Sequence, residues 1–180
     1  MISVKSKITA KVLNYFFLNP DESGYINELA RKLDLDAGNL YRKLKELEAE
    51  GLLTGSFRGR EKYYSLAKGF PLLEHYRQIF LKTSGLEKKL KDIMRKTKGV
   101  RESYVFGSYA RDSMDASSDI DILAVGDHSI LELQKRIIRL QKESGREINV
   151  VNLSKKEYLE KRRNKDQFLR NIFSGRTIKL

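Results

Sequence analysis

The chain has 180 residues, no cysteine, two histidines and a formal net charge of +12. The length leaves room for one large or two small domains. The lack of cysteine excludes disulfides and thiolate metal sites, and His75 and His128 are too few for a zinc cluster and read as surface or boundary residues. An apolar content of 40% with regular periodicity argues for a folded chain, and a pI near 9.8 points to a polyanionic partner, nucleic acid being the commonest. No targeting segment stands out. The longest early apolar run, Val12 to Leu18, is interrupted by Asn14 and is too short to span a bilayer, so the expected location is the cytoplasm with no membrane partner.

Ile8, Val12, Leu13, Phe16 and Phe17 recur at helical spacing, which predicts an amphipathic helix from about Val4 to Leu18 that Asn19-Pro20 ends. A second stripe, Ile26, Leu29, Ala30 and Leu33, predicts a helix with Asn27 as its N-cap. The turn Asp34-Leu35-Asp36 leads into a third helix with Ala37, Leu40, Leu44 and Leu47 inward and Gly51 as its stop. Leu52-Leu53-Thr54 and Glu61 to Leu66 read as two strands around a glycine- and arginine-rich loop, a hairpin with a basic tip.

The phrases INELARKL, NLYRKLKELEAEGLL and GREKYYSL, over about Ser3 to Leu66, resemble the winged helix-turn-helix domains of ArsR/MarR-type regulators. The resemblance implies binding to double-stranded DNA, and a homodimer would be in keeping with many such regulators. Asn39, Tyr41, Arg42 and Lys45 lie away from the leucine stripe of the third helix and could reach base edges or phosphates in a major groove, while Arg58, Arg60 and Lys62 at the hairpin tip could meet phosphates or enter a minor groove. The competing reading is a protein-interaction module whose polar faces are merely solvated. Charge does not separate the two, because residues 1–70 hold 12 Lys and Arg against 9 Asp and Glu, a net of +3, and residues 71–180 carry the remaining +9.

Pro71 suits the first turn of a new helix, with Leu72, Leu73, Tyr76, Ile79 and Phe80 as its stripe. It could link two domains, pair with its own copy or pack on the preceding helices. Leu86, Leu90, Ile93 and Met94 continue helical spacing up to Gly99.

Beyond Gly99, Tyr104-Val105-Phe106 reads as a buried strand, and Gly107-Ser108 breaks it. A helix opening there would aim backbone N–H groups at an anion such as phosphate. The next strand, Asp119 to Val125, puts Asp119 and Asp121 on one face and Ile120 and Ile122 on the other. Two carboxylates sharing a face call for a cation between them, and Mg²⁺ is the usual choice with phosphate substrates. The alternative is the solvated outer face of an edge strand.

Gly107-Ser108, Arg111 and Asp119-Ile120-Asp121 resemble the GSxARG…SDID signature of minimal nucleotidyltransferases, in the DNA polymerase β-like superfamily, with Asp112 where the family usually has glycine. The resemblance implies a small mixed sheet flanked by helices. It also implies Gly107, Ser108 and Arg111 at the nucleotide, Asp119 and Asp121 as metal ligands and catalytic residues, and Mg²⁺ or Mn²⁺ with an NTP, ATP being the expected one. The family's third carboxylate belongs on the strand Glu147 to Val151, where Asn149 stands in its place; an amide carries no charge and takes no proton, so Glu147 is the acidic candidate for a base.

Ile130 to Leu140 predicts a helix with Leu133, Ile137 and Leu140 inward. Ser154 should cap a helix whose Lys155, Lys156, Lys161, Arg162, Arg163 and Lys165 form a basic tract, either flanking a nucleotide or nucleic acid or simply solvated. Phe168, Leu169, Ile172 and Phe173 should close the core before a last strand at Ile178. The expected fold class is α+β: a winged helix-turn-helix domain (1–68), linker helices (69–98) and a nucleotidyltransferase-like domain (99–180). Three functions compete: a DNA-binding transcriptional regulator that binds a metal-nucleotide, an active nucleotidyltransferase acting on a protein, RNA or small molecule, and a toxin–antitoxin component with a protein acceptor.

Overall fold

The computed structural model describes residues 6–115 and 117–180; the first five residues, with the expected helix start at Val4, and Ala116 of the polar loop lie outside them. The described residues form an α+β arrangement with two small sheets. The chain divides into two compact units, residues up to 88 with 142–145, and residues 89–141 with 146–180. Among the described residues no helix is long and apolar enough to cross a membrane.

In the first unit, α1 (Lys7–Leu18) starts at Ser6, whose side chain accepts the Thr9 amide. Its face is wider than an amphipathic stripe, since every residue from Val12 to Leu18 is buried, Asn14 included. The three-residue strand β1 (Ser23–Tyr25), absent from the sequence reading, runs straight into α2 (Ile26–Leu33). Tyr25 therefore takes the N-cap position in extended conformation without a side-chain bond, and Asn27, expected as the cap, is already inside the helix. Asp34 turns the chain at φ +50, and Asp36 caps α3 (Ala37–Ala49) by accepting the Asn39 amide at 2.8 Å. Leu40, Leu44 and Leu47 face inward as their spacing predicts.

The hairpin strands β2 (Leu53–Arg58) and β3 (Glu61–Leu66) pair from Leu53↔Leu66 to Arg58↔Glu61, so the loop shrinks from the expected six residues to Gly59-Arg60. β1 adds to β3, giving the antiparallel order β1-β3-β2. α4 (Leu73–Thr83) begins two residues after Pro71 and lies on α1, with Phe80 edge-on to Phe17 at 5.5 Å and the Arg77 guanidinium donating to the Phe17 carbonyl at 2.7 Å. Phe80 and Leu81 are the buried pair here; Leu72 and Ile79, expected in the stripe, are mostly exposed.

α5 (Leu86–Lys96), buried through Leu86, Leu90 and Met94, precedes the second sheet. Its strands are β4 (Val100–Phe106), β5 (Ile120–Gly126), β6 (Ile148–Leu153) and β7 (Ile178–Lys179). They lie in the order β6-β5-β4-β7, with β5 and β6 parallel and the other pairs antiparallel. β5 is thus central and buried nearly throughout, which removes the edge-strand reading of its carboxylates. Its helices are α6 (Gly107–Ala110), α7 (Ile130–Ser144), α8 (Lys155–Arg163) and α9 (Gln167–Ser174). Ser154 and Glu157 form a capping box at the start of α8.

Leu123, Val125, Leu153, Tyr158, Leu169 and Ile172 make one continuous core on the sheet face that Asp121 shares. Phe168 and Phe173, expected to close that core, are each 39% exposed: they lean edge-on against Phe106 and Tyr104 rather than filling it.

Candidate functional site

The site is assembled where β4 ends and β5 begins. Phe106 pairs with Asp121 across the ladder, so the residue after Phe106 comes up beside that carboxylate. Only glycine fits there. Gly107 has φ +73, and a Cβ on it would lie 2.4 Å from Asp121 Oδ2. α6 is a single turn, so its dipole is small, and Ser108 is half-buried with its carbonyl accepting the Ser113 amide at 3.0 Å.

Arg111 follows, exposed. Asp112 then takes φ +54, which explains why glycine suits this position in the family; aspartate tolerates the left-handed region better than most residues, and here it pairs with Arg176.

The loop into β5 is knotted around Asp115. Its Oδ1 accepts from the Ser117 amide and from the Ser117 and Ser118 hydroxyls, each at 2.9 Å. These bonds, Ser118's first, hold the Asp115 carboxyl below its ordinary value. Arg146, only 7% exposed, donates to the Ser118 carbonyl at 3.2 Å and so fixes the residue just before Asp119. Neither Asp115 nor Arg146 was singled out from the sequence. The Asp-x-Ser-Ser pattern is a recognisable side-chain turn, whereas nothing local marks Arg146.

Asp119 and Asp121, both half-buried, sit on one face as alternation predicts. Asn149 stands level with Asp121 in the parallel register of β6, and its amide donates to Asp119 Oδ2 at 3.2 Å. Burial, then the charge of Asp119, push the Asp121 carboxyl above its ordinary value, with the Asn149 amide and the Arg111 charge acting the other way. This unresolved repulsion is what a divalent cation relieves. Two carboxylates with an amide oxygen nearby suit Mg²⁺, which keeps waters and phosphate oxygens as its other ligands.

Glu147 accepts the Ile120 amide on its backbone carbonyl at 3.0 Å, and its side chain is exposed. Among the described residues no three His, Cys, Asp or Glu side chains cluster to hold a metal ion.

In the first unit, Asn39, Tyr41, Arg42 and Lys45 are all exposed on α3. Arg42 donates to Asn39, and the Lys45 ammonium lies 5.5 Å from the Tyr41 ring centre. Arg58 and Arg60 are exposed at the hairpin, with Arg58 stacked on Tyr63 at 4.5 Å. Lys62 is not at the tip: it lies within β3 and is held by Glu48 of α3 at 2.7 Å, a pairing that the longer strands impose.

A mixed sheet whose central strand offers two carboxylates to a tight glycine turn defines a nucleotidyltransferase-type domain. The chain belongs to the nucleotidyltransferase domain family, whose model matches residues 87–179. No curated protein matches the sequence. Among solved structures, one described as a toxin–antitoxin with AMP-PNP is similar at 18% identity and a TM-score of 0.38, over 52% of this chain and 70% of that one. A candidate nucleotidyltransferase from Sulfolobus solfataricus is similar at 22% identity and a TM-score of 0.30, over 42% of this chain and 68% of its own. TrmBL2, an archaeal chromatin protein with a novel mode of DNA binding, is similar at 18% identity and a TM-score of 0.30, over 92% of this chain and 72% of that one. At these scores the likenesses add nothing to what the family match gives.

Proposed function

We propose that the protein is a two-domain DNA-binding regulator whose second domain binds a metal-nucleotide at Asp119, Asp121, Gly107 and Ser108. The observation that supports the nucleotide site is the pair of like-charged carboxylates held against a glycine at φ +73 whose missing Cβ leaves room for Asp121. When bound, the divalent cation supplies charge neutralisation for the triphosphate. The chain's own part is to hold the carboxylates: the Asn149 amide donates to Asp119, Arg146 holds the Ser118 carbonyl just before it, and Gly107 leaves the space that Asp121 occupies. The winged-helix reading of the first unit is supported by its element order, helix, strand, two helices and hairpin, and by the exposed Arg42, Lys45, Arg58 and Arg60.

Nucleotidyl transfer is the second reading, favoured by the same carboxylate pair. Asn149 accepts no proton, which leaves the exposed Glu147 as the acidic candidate for a base.

Calorimetry with Mg²⁺ and each NTP is expected to show binding that Asp119→Ala/Asp121→Ala abolishes; equal binding by that variant overturns the site. The same proteins mixed with α-labelled NTP, Mg²⁺ or Mn²⁺ and a lysate of the source organism decide the second reading. Label on a protein or RNA band, missing with the variant, establishes transfer and its acceptor class together.

For the first unit, Arg42→Ala/Arg58→Ala should weaken binding to a random-sequence duplex about tenfold and lower the salt slope by roughly 0.9 per lost phosphate contact. A gel shift unchanged by that variant removes the DNA-reading role and leaves a protein-interaction module.

A further inference from the structure

A cavity of about 340 Å³ at the turn between α8 and α9 plays no part in the nucleotide site. Its apolar wall includes Tyr104 of β4, Tyr158 of α8 and Phe173 of α9, and its rim carries Arg162, Lys165 and Arg170. Tyr104 and Phe173 stand edge to face at 5.2 Å, and the Arg162 guanidinium lies 5.7 Å from the Tyr158 ring centre. The carboxylate in the lining, Asp166, is paired with Lys161 at 3.0 Å, so the other three cations set the charge of the pocket. Glu102, which accepts the Tyr104 hydroxyl at 2.6 Å, is not part of the lining.

Lys165 is the least expected member. The Asp166 amide donates to the Lys161 carbonyl at 2.9 Å and the Lys165 amide to the Arg162 carbonyl at 3.2 Å, a helix-ending pattern whose turning residue is usually glycine. Lys165 holds that place at φ +50, where a side chain strains the backbone. The backbone conformation by itself would favour glycine there. The gain is a positive charge at the pocket rim.

The geometry points to a binding site for single-stranded nucleic acid in the α8–α9 pocket, with an unpaired base against the aromatic wall and the flanking phosphates on Arg162, Lys165 and Arg170. Rings and cations interleaved in a groove are how proteins hold single strands without reading sequence. The volume is at the low end for ligand pockets, about 300–1,000 Å³, and a concavity of that size takes a splayed base but not a base pair stacked between neighbours. It also gives a purpose to the +9 net charge of residues 71–180, which duplex contacts by the first unit leave unexplained. Nothing in this pocket depends on Asp119 or Asp121.

The test is fluorescence anisotropy of the full chain with a labelled oligothymidylate, in EDTA and without nucleotide, between about 50 and 200 mM salt. Arg162→Ala/Arg170→Ala is expected to weaken binding at least tenfold and to reduce the salt slope by about 1.4, roughly 0.7 for each lost cation. Lys165→Gly is expected to weaken binding about threefold while leaving the melting temperature equal or higher, the opposite of what a structural lysine would do. Parent-like affinity in both variants, as binding carried by the first unit would give, overturns the site. So does an oligoglutamate that displaces the oligonucleotide at equal charge concentration, because the pocket would then be recognising charge alone. Metal and nucleotide are absent throughout, so failure here leaves the Asp119–Asp121 reading standing, and the reverse holds too.

Discussion

Asp121→Asn is expected to abolish Mg²⁺-dependent nucleotide binding and, in the same protein, to raise the melting temperature of the metal-free fold. The two effects share one cause. In the metal-free protein the Asp121 carboxylate is half-buried and faces Asp119, so its folded pKa stands above the unfolded value. Between those two values the folded state holds more protons than the unfolded one, and stability therefore falls as pH rises through the window. Near neutral pH the whole cost is present; below the unfolded aspartate value, near 3.9, it is gone.

An amide at position 121 removes the charge and keeps the shape. Because the carboxylate is partly open to water, the gain is on the order of 0.5 kcal/mol, about 2 °C for a domain of this size. Scanning calorimetry in EDTA should show the advantage of the variant at pH 7 shrinking toward zero as pH approaches 4. Added Mg²⁺ and NTP should reverse the ranking, since ligand binding to the folded state stabilises only the parent. A variant less stable than the parent in EDTA, or one that still gains stability from Mg²⁺-NTP, would contradict the view of the pair as a cation site.

How much of this was legible in the sequence differs from residue to residue. The Asp119–Asp121 pair was, because a period of two is enforced by the pleat and needs no partner to be read. The stop at Gly51 and the cap at Ser154 were legible for the same reason: each is a local hydrogen-bonding problem with a local solution. β1 was not, since Ser23-Gly24-Tyr25 has no strand pattern of its own and exists only because β3 offers an open edge. Lys62 looked like part of a basic tip until the hairpin register drew it to Glu48, a residue on a different helix.

Tertiary cover also explains α1 and the last aromatics. α1 reads as amphipathic, yet α3, α4 and β3 all pack around it, so its second face is buried as well. Phe168 and Phe173 read as core, yet Leu169 and Ile172 fill that core from the same helix, leaving the phenylalanines to lean on the rings of Phe106 and Tyr104. At the site, the identity of Asn149 could be read directly, but its bond to Asp119 depends on the parallel register of β5 and β6. Arg146 shows the limit most plainly. It donates to the Ser118 carbonyl, 28 residues away in sequence, and no local pattern encodes that meeting.

Gly107→Ala is expected to damage both the stability of the second unit and its site. The backbone there has φ +73, a conformation that costs an alanine about 1–2 kcal/mol. The new methyl would also lie 2.4 Å from Asp121 Oδ2, a separation that real Cβ atoms do not show, so the carboxylate must move. Moving it takes the group away from its place beside Asp119 and Asn149, where the site needs it. Strain and displacement together should cost roughly 2–3 kcal/mol, seen as a fall of about 10 °C or more in the transition of that unit, and Mg²⁺-nucleotide affinity should be lost with the carboxylate geometry.

A double-mutant cycle separates the two causes. Asp121→Ala removes the atom that the methyl strikes but leaves the backbone conformation as it was. In the Asp121→Ala background, Gly107→Ala should therefore cost only the conformational part, about 1–2 kcal/mol, and the missing remainder measures the contact. If the cost were the same in both backgrounds, the glycine would be required by the turn alone, and the tight fit between Gly107 and Asp121 would have no bearing on how the site is built.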